Sequence, residues 1–594
     1  MSTSTEKDTT PKWNLNDLYK GMQVPELLND LNEAKVSAEA FASMYKGKLL
    51  KINKKKFYQS IEDYEELSEA LAKIMSYAQL LFSADSENGH IANFYQDISE
   101  RITEISSITL FYELEINRID DAILDEKMKY SLTHKFKSWI AVIRANRPYQ
   151  LADDLEQILH EKSITGRASW SRLFDETMAG MRFEVNGRMI SNSEIMNRMS
   201  DGDRHVREKA AKSFSAGLEK NIKLFSLITN TLAKDKDIED KWRKFPRAVS
   251  SRNLLNRVED EVVDALTRAV KQSYEGLAHR YYQLKAEWLG VEKLNYWDRN
   301  APLPQSNDSG ISWNEARETV LRSYNEFEPQ LGRIAEQFFK NNWIDAEPRE
   351  GKDSGAFSHP TVPSIHPYIL LNYHGKTRDV MTLAHELGHG IHQILASSKG
   401  LLVSDTPLTL AETASVFGEM LTFKAMLSST TNPNRRRIML ASKVEDMLNT
   451  VVRQIAFYSF EESVHSERKK GELSADRLGE IWMRIQRESL GPSFEFDDEY
   501  QYFWAYIPHF IHSPFYVYSY AFGDCLVNSL YDVFDRGHPG FQKKYINMLK
   551  AGGSLHHKEL LAPFNLDASD PEFWKRGLGM VTNFIDEIEE SFRS

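Results

Sequence analysis

Three residues in the stretch TLAHELGHGIHQ, His385, Glu386 and His389, have the types and spacing of a metal site on one helix. Residues four apart on an α-helix point to nearly the same side, one turn apart, so both imidazoles can bind one ion. Glu386 is turned by roughly 100° from His385, which places it beside the ion, where it can hold a metal-bound water. The pattern therefore predicts hydrolysis by a water molecule that a metal ion activates.

A third histidine, His392, lies on the same stripe of this helix. The rise from position 385 to position 392 is about 10.5 Å, whereas zinc–nitrogen bonds are about 2.1 Å, so the three imidazoles cannot share one ion. His392 is expected to support the site, pack in the core or line a channel. It also occupies the glycine position of the extended metzincin pattern, and Leu395 occupies its last histidine position, which disfavours that class.

The missing third ligand is predicted on the next helix, DTPLTLAETASVFGEMLTF, which has Thr406 as N-cap and Pro407 as its first residue. Glu412 and Glu419 share one face of this helix but lie about 10.5 Å apart along it, so only one can reach the ion. We assign Glu412 as the ligand. Glu419 then orients an imidazole or the motif helix, or alternatively forms a simple ion pair between helices.

Two glycines, Gly388 and Gly390, lie inside the motif helix. Each costs about 1 kcal/mol relative to alanine in a helix interior, so we expect another element or a substrate to approach there closely. The alternative interpretation is a surface helix with incidental histidines.

A second candidate segment, YIPHFIHSPFYVYSYAFG at residues 506–523, is rich in histidine and tyrosine. Hydroxyl and imidazole donors stabilise the oxyanion that forms during peptide hydrolysis. The segment could supply such donors, while the alternative is that its aromatic side chains only pack in the core. The candidate residues are His509, His512, Tyr516, Tyr518 and Tyr520.

Helical periodicity dominates residues 14–165 and predicts an N-terminal helical lobe. RFEVNGRMI, at residues 182–190, alternates around Asn186-Gly187 and predicts a hairpin with a type I′ turn at a lobe boundary. Helical patterns resume over residues 192–289. We therefore expect an N-terminal lobe at residues 1–190 and a catalytic domain at residues 191–594.

Between residues 294 and 371 the regular pattern breaks up. Residues 301–312 and 347–367 are interpreted as loops from their Pro, Gly, Ser and Asp content, and YILLNY at residues 368–373 as a short buried strand. This strand leads into the motif helix, predicted at residues 377–396, and the chain beyond residue 376 is expected to be mostly helical.

Composition limits the class of protein. The chain has 594 residues with 41% hydrophobic and 27% charged residues, which is ordinary for a globular protein. A net charge of −12 with dispersed basic residues disfavours nucleic acid as a ligand. The N-terminus has no apolar core of a secretory signal and no run is long enough to span a membrane. Together with a single cysteine, Cys525, these features predict a soluble cytoplasmic protein.

Several segments, taken together, resemble the thimet-oligopeptidase-like zinc metallopeptidases and, within them, the oligoendopeptidase F group. The most specific segments are the motif helix and ETASVFGE, and the likeness extends over nearly the whole chain. The segments are WNLNDLY (13–19), SWSRLFDE (169–176), GAFS (355–358), PYILLNYHG (367–375), TLAHELGHGIH (382–392), ETASVFGE (412–419) and IPHFIHSPFYVYSYAFG (507–523).

The resemblance implies a mainly α-helical fold of two lobes that enclose a deep substrate channel, with a small β-sheet near the zinc helix. It implies one Zn²⁺ per chain, bound by His385, His389 and Glu412, and cleavage of internal bonds of short unstructured peptides with Glu386 as general base. His509 and one of the three tyrosines would contact the substrate or the oxyanion. The segment from Gly355 and Ala356 to residue 373 resembles the small sheet, whose edge could pair with an extended peptide. Within enzymes the alternative is an exopeptidase of the dipeptidyl carboxypeptidase type, and outside them a non-catalytic peptide-binding protein.

Overall fold

α-Helices make up most of the chain, as the sequence predicted, with only short strands between them. The structure is a computed structural model and describes residues 10–163, 165–303 and 310–593. These residues divide into two compact units, each made of three stretches of chain. Unit 1 contains the described residues of Met1–Arg147, Asp308–Ser429 and Val533–Asn565, and unit 2 those of Pro148–Asn307, Thr430–Asp532 and Leu566–Ser594.

The helices and strands are numbered in chain order. The helices are α1 Pro25–Tyr45, α2 Lys54–Ala84, α3 Gly89–Thr109, α4 Phe111–Arg118, α5 Asp121–Met128, α6 Lys137–Ala145, α7 Asp153–Ser163, α8 Arg167–Gly180, α9 Asn192–Arg198, α10 Arg204–Arg243, α11 Ser250–Leu255, α12 Asp260–Gln272, α13 Arg280–Leu289, α14 Trp313–Phe327, α15 Pro329–Lys340, α16 Thr377–Ala396, α17 Leu401–Ser404, α18 Leu408–Ser429, α19 Pro433–Thr450, α20 Val452–Arg468, α21 Ala475–Leu490, α22 His509–His512, α23 Tyr518–Asp535, α24 Phe541–Ala551, α25 His557–Leu561 and α26 Pro571–Arg593. The strands are β1 Phe183–Val185, β2 Arg188–Ile190, β3 Leu294–Asn295, β4 Ile344–Asp345, β5 Phe357–His359, β6 Tyr368–Leu370 and β7 Phe494–Glu495.

Unit 1 is built around the motif helix, α16, whose bounds are those predicted from the sequence. It packs against α18, α14, α15 and α24, and its remaining side meets a three-stranded sheet. In that sheet β6 is central, parallel to β4 and antiparallel to β5, and all three residues of β6 are buried. The predicted strand at residues 368–373 is thus confirmed at its centre but is only three residues long, and it leads directly to α16.

A segment near the C-terminal end of unit 1, helix α24, packs against the motif helix and α18. Helix α24 carries Tyr545, which is buried and donates a hydrogen bond to the carbonyl of Thr413 at 2.8 Å. The rings of Tyr545 and Phe417 lie 4.6 Å apart. Unit 1 is therefore complete only with residues that follow α18 by more than a hundred positions.

Unit 2 contains the longest helix, α10, with Asp203 as its N-cap. The predicted hairpin is confirmed as β1 and β2, which pair antiparallel from Phe183 with Ile190 to Val185 with Arg188. Asn186 and Gly187 have φ of 55° and 78°, and a type I′ turn requires positive φ at both central positions. Strands β3 and β7 form a short parallel pair in the same unit.

The expectation of irregular structure over residues 294–371 was wrong for its middle part. Helices α14 and α15 occupy residues 313–340. Ser312 caps α14 by accepting from the backbone N–H of Glu315, and Pro329 occupies the first turn of α15. Both helix-start signals, the Ser312 cap and Pro329 in the first turn, are present in the sequence. The Pro- and Gly-rich stretches on either side obscured them.

Of the two predicted loops of this region, the first is irregular where it is described and the second needs correction. Part of the first, residues 304–309, lies outside the described residues. The second contains β5, a strand that its Pro and Gly content concealed. Among the described residues, no helix is long and apolar enough to cross a membrane. The division into residues 1–190 and 191–594 stays a prediction.

Candidate metal centre

The two helices of the site, α16 and α18, lie so close together that only glycine fits at one position of the contact. A Cβ atom on Gly388 would lie 2.4 Å from the carbonyl oxygen of Ala414 and 2.5 Å from the Cα of Ser415. A Cβ on Gly390 would meet the ring of Phe338, on α15, at 2.5 Å. The close approach expected at both glycines is therefore present, and it brings the histidines of α16 to the acidic face of α18.

Three predicted ligand residues come together on these helices. The Nε2 atoms of His385 and His389 lie 3.3 Å and 3.4 Å from Oε2 of Glu412. In a tetrahedral site with bonds of 2.0–2.1 Å, neighbouring ligand atoms are about 3.3 Å apart. Two imidazole nitrogens and one carboxylate oxygen at this spacing fit a zinc ion and leave a fourth position for water. The structure thus supplies the donor set that a catalytic zinc site requires.

Two side chains of α18 orient these ligands. Nδ1 of His385 lies 3.3 Å from Oε2 of Glu419, so that the ring donates to this carboxylate and directs Nε2 toward Glu412. The hydroxyl of Ser415 donates to Oε2 of Glu412 at 2.7 Å. The roles of Glu412 as ligand and of Glu419 as the residue that orients His385 stay predictions.

Glu386 lies beside the donor set and is nearly buried, with 6% of its surface exposed. Burial raises the pKa of its carboxyl group, while the nearby imidazoles of His385 and His389 act in the opposite direction. The backbone N–H of Ser358, in β5, donates to the carboxylate. A carboxylate with a raised pKa and a fixed position is suited to accept a proton and release it again.

The electrostatics of the ligands themselves are strongly coupled. Burial is the largest single influence and opposes the charged forms of His385 and Glu412, but the hydrogen bonds among His385, His389, Glu412 and Glu419 and the attraction between their charges together outweigh it. The pKa of His385 is consequently raised and that of Glu412 lowered. The donor set thus holds an ionised carboxylate, which is the form that binds a cation.

His392 has a different environment from the other two histidines. It is buried, and its ring hydrogen-bonds the carbonyl of Ala411, the residue before Glu412. Burial lowers the pKa of His392 to about 4, so the ring is neutral at pH 7. In the structure it links α16 to α18, in line with the expected supporting role.

Two contacts at the site were not anticipated from the sequence. Tyr324, on α14, donates to the carbonyl of Ala384 at 2.7 Å, and its hydroxyl fills the space that a side chain at position 418 would need. Gln393 and Ser358 bind each other through side-chain and backbone groups and tie β5 to α16. A glycine at position 418 and a glutamine one turn beyond the motif are the only signals of these contacts in the sequence.

The sheet edge proposed for peptide pairing is β5. Its Ser358 has both backbone groups engaged by α16, through Glu386 and Gln393. Gly355 and Ala356 precede the strand and are exposed. The amide of Gly355 donates to Asp353, and its carbonyl accepts from Asn372. Any pairing with an extended peptide would therefore involve the exposed residues before β5.

The second candidate segment lies in unit 2 and forms a group of three rings, which we call the tyrosine cluster: His509, Tyr516 and Tyr520. Nε2 of His509 lies 3.2 Å from the hydroxyl of Tyr520, and the rings of Tyr516 and Tyr520 are 5.3 Å apart. Tyr520 is 37% exposed. The cluster thus presents an imidazole and two phenols on neighbouring turns of chain.

The other two candidates of this segment have partners of their own. Tyr518 is fully buried, and its hydroxyl accepts a hydrogen bond from the amide of Asn256 at 2.8 Å. His512 pairs with Asp175 at 2.8 Å. The structure places Tyr518 in the packing beneath the cluster and His512 beside α8.

Comparison with known proteins gives the site its context. The sequence model of Peptidase family M3 matches residues 197–580, which include both candidate segments. The chain belongs to peptidase family M3. A second model, described as Oligopeptidase F, matches residues 115–183 of this M3 peptidase.

Full-length relatives of the M3 peptidase are known in several bacteria. The chain is 26% identical to an oligoendopeptidase F homolog of Borreliella burgdorferi over 100% of both sequences. It is also 26% identical to oligopeptidase PepF of Bacillus subtilis, over 97% of this chain and 87% of that protein.

Solved structures confirm the fold of this M3 peptidase. A putative peptidase from Chlamydophila abortus superposes with a TM-score of 0.87 at 21% identity over 98% of both chains. Oligoendopeptidase-F from Enterococcus faecium superposes with a TM-score of 0.72 at 22% identity, over 96% of this chain and 98% of that one.

Proposed function

We propose that this M3 peptidase is a zinc-dependent oligoendopeptidase that cleaves internal bonds of short, unstructured peptides. The observation that carries the proposal is the spacing of the ligand atoms of His385, His389 and Glu412, which all lie within 4.8 Å of one another. One zinc ion per chain would be held there. The names of the relatives, oligoendopeptidase F and oligopeptidase, support short peptides as the substrate class.

The chain's own residues divide the chemistry in the following way. When bound, zinc would polarise the scissile carbonyl and lower the pKa of a water molecule to about 7. Glu386, held by the backbone N–H of Ser358, is positioned to accept a proton from a water molecule as its oxygen bonds to the scissile carbonyl carbon, and to return that proton to the nitrogen of the leaving amine as the C–N bond breaks. Glu419 keeps His385 in the tautomer that directs Nε2 to the ion.

We further propose that the tyrosine cluster contacts the peptide during the reaction. Tyr520 is the proposed donor to the oxyanion, since its hydroxyl is partly exposed and in contact with His509. Tyr516 and His509 are proposed to orient it. Gly355 and Ala356 are proposed as backbone contacts of the substrate, and His512 as a more peripheral one. We propose a cytoplasmic location, which rests on the sequence alone.

The decisive experiment uses an internally quenched peptide of about ten residues that is blocked at both ends. We expect cleavage at an internal bond, loss of activity with a chelator, and recovery on addition of one equivalent of Zn²⁺. Cleavage only when an end is free would identify an exopeptidase. Binding without turnover, with the site loaded, would identify a peptide-binding protein instead.

A further inference from the structure

Two arginines of unit 2, Arg299 and Arg453, carry their charges among aromatic side chains. Arg299 follows the turn at residues 296–298, and Arg453 is the second residue of α20. Both side chains are partly buried. Within the described part of the chain, neither guanidinium forms an ion pair with a carboxylate, although most arginines that are this enclosed have such a partner.

The contacts of Arg453 are with neutral groups. One terminal nitrogen donates to the hydroxyl of Tyr506 at 3.0 Å, and the guanidinium lies 5.0 Å from the centre of the Phe457 ring. Its Nε atom is buried without a hydrogen-bond partner. Among the residues that the structure describes, the Nε donor of Arg453 thus has no hydrogen-bond acceptor.

Arg299 shares the neighbours of Arg453. Tyr282, Tyr500 and Tyr506 act electrostatically on both guanidinium groups, and the two arginines oppose each other's charge. The backbone carbonyl of Arg299 accepts from Lys285, whereas no hydrogen bond of its guanidinium is seen within the described ranges. Two like charges are therefore held together among aromatic rings.

Glu445, the acid that acts on Arg299, is already engaged. Glu445 influences both Arg299 and the neighbouring tyrosines. Its Oε1 accepts from Lys285 at 2.5 Å and from the hydroxyl of Tyr281 at 2.9 Å. One carboxylate therefore serves both Lys285 and Arg299, and among the described residues no carboxylate forms an ion pair with Arg453. Burying unpaired cations is unfavourable, and an anionic ligand would remove the cost.

The group is continuous with the tyrosine cluster. Tyr506, which receives the bond from Arg453, ends the turn that leads through Ile507 and Pro508 to His509. The positive charge of Arg453 also acts on the His509 ring, whose pKa is lowered by burial first and by this charge second. A peptide that contacts the cluster would thus have the two arginines within reach of its continuing chain.

We propose that Arg299 and Arg453, with the hydroxyl of Tyr506, bind a carboxylate of the peptide substrate. A guanidinium matches a carboxylate with two parallel hydrogen bonds, and two guanidinium groups select a full negative charge over a neutral amide. The inference rests on the proposed function and adds an anchor that fixes the register of the peptide. The carboxylate is either the free C-terminus or an acidic side chain, and the experiment distinguishes them.

The first measurement uses the full-length, zinc-loaded protein and two quenched peptides that contain no acidic residue. They are identical except that one has a free C-terminus and the other is amidated. We expect amidation to raise KM by roughly 10- to 100-fold with a smaller change in kcat, because a buried charge-assisted contact is lost. A third and a fourth peptide, both amidated, carry Glu or Gln at one position in the C-terminal half. If the anchored group is a side chain, Glu lowers KM relative to Gln.

Variants connect the effect to these residues. Arg453→Gln and Arg299→Gln should reduce the KM ratio between amidated and free peptides to near one, with zinc content unchanged. Arg477→Gln is the matched control, because it removes the same charge from an exposed ion pair with Glu467 and Glu480 in the same unit. It should keep the ratio of the unmodified protein.

The outcomes separate this inference from the proposed function. If neither peptide is cut while zinc is bound, the proposed function fails. If all four peptides are cut with equal KM, the function stands and the anchor is overturned. An unchanged ratio in both arginine variants would likewise overturn it, and the comparison on the unmodified protein decides even if a variant does not fold.

Discussion

The metal centre and the tyrosine cluster are held in place by opposite means. The proposed metal ligands lie on two long helices, α16 and α18, which approach each other closely at Gly388. The cluster lies on a broken segment, where the four-residue helix α22 ends and α23 begins after Phe515, a residue with φ of 60°. His509 and Tyr520 hydrogen-bond each other, and the segment that carries them is tied to other parts of unit 2 by single hydrogen bonds, from the backbone N–H of Phe515 to Glu461 and from Asn256 to Tyr518.

This difference indicates how each region works. Ligands on close-packed helices hold fixed distances, which a metal site needs because its bond lengths are narrow. A segment that depends on a few hydrogen bonds can adjust when a substrate binds, which suits contacts to a variable peptide. Substitutions at the metal centre should therefore abolish activity, whereas substitutions in the tyrosine cluster should reduce it only partly.

The largest effect is expected at the ligands themselves. Glu412→Ala removes one of three donors and should lose zinc and all measurable activity, whereas Glu419→Ala should retain zinc with affinity reduced about 10- to 100-fold. Metal analysis after dialysis against a weak chelator measures both. Zinc lost from the Glu419 variant and kept by the Glu412 variant would show that the ligand assignment is reversed.

The second-largest loss of activity is expected for Glu386→Gln. The amide keeps the shape and accepts from Ser358 but cannot take a proton, so kcat should fall by about 10²- to 10⁴-fold with zinc content unchanged. Steady-state cleavage of the quenched peptide, with metal analysis of the same sample, is the measurement. A variant with zinc and more than a tenth of the original kcat would contradict the role as general base.

The sequence was most informative where the determinants are local. The bounds of α16, the turn at Asn186-Gly187 and the convergence of His385, His389 and Glu412 all follow from helix or turn geometry over short stretches. The glycine at position 388 even indicated the close contact with α18.

The determinants that escaped prediction are contacts between segments far apart in the chain. Ser358 donates to Glu386 only because β5 pairs with β6 and lies against α16, and no periodicity carries that information. Tyr324 reaches Ala384 across sixty residues of sequence. Among the tyrosines the spacing could not separate the buried Tyr518 from the exposed Tyr520, because the chain turns at Phe515.

The cluster should respond more mildly than the centre. Tyr520→Phe removes one proposed oxyanion donor and should lower kcat by about 10- to 100-fold, with little change in KM. Tyr518→Phe is the control, since it removes a hydroxyl that is bound by Asn256 in the packing, and it should affect stability rather than kcat. The two variants are compared by initial rates and thermal melting. Equal losses of kcat would show that the hydroxyl of Tyr520 has no special role.

The smallest effect concerns the support of this segment. The amide of Phe515 donates to Glu461 at 2.7 Å, and burial raises the pKa of Glu461 to about 8. The folded protein therefore holds a proton that the unfolded chain releases near pH 4.5, so this group's contribution to stability falls as pH rises from 4.5 to 8. Glu461→Gln should lose less thermal stability than the unmodified protein between pH 5 and pH 8, by several degrees.

The matched control for this last variant is Glu480→Gln, at an exposed position of α21. It should follow the unmodified protein at every pH. Parallel melting curves for Glu461→Gln and the unmodified protein between pH 5 and pH 8 would show that Glu461 does not carry the proton.

The position of α24 in the chain has a consequence during synthesis. Tyr545, which supports α18 through Thr413, leaves the ribosome about 130 residues after Glu412, a delay of roughly 7 to 27 seconds. We expect nascent chains to contain all three proposed metal ligands well before they contain α24, the helix that packs against α16 and α18. A chain still being synthesised would thus lack a fully assembled active site. It would not cleave neighbouring polypeptides until its own synthesis is nearly complete.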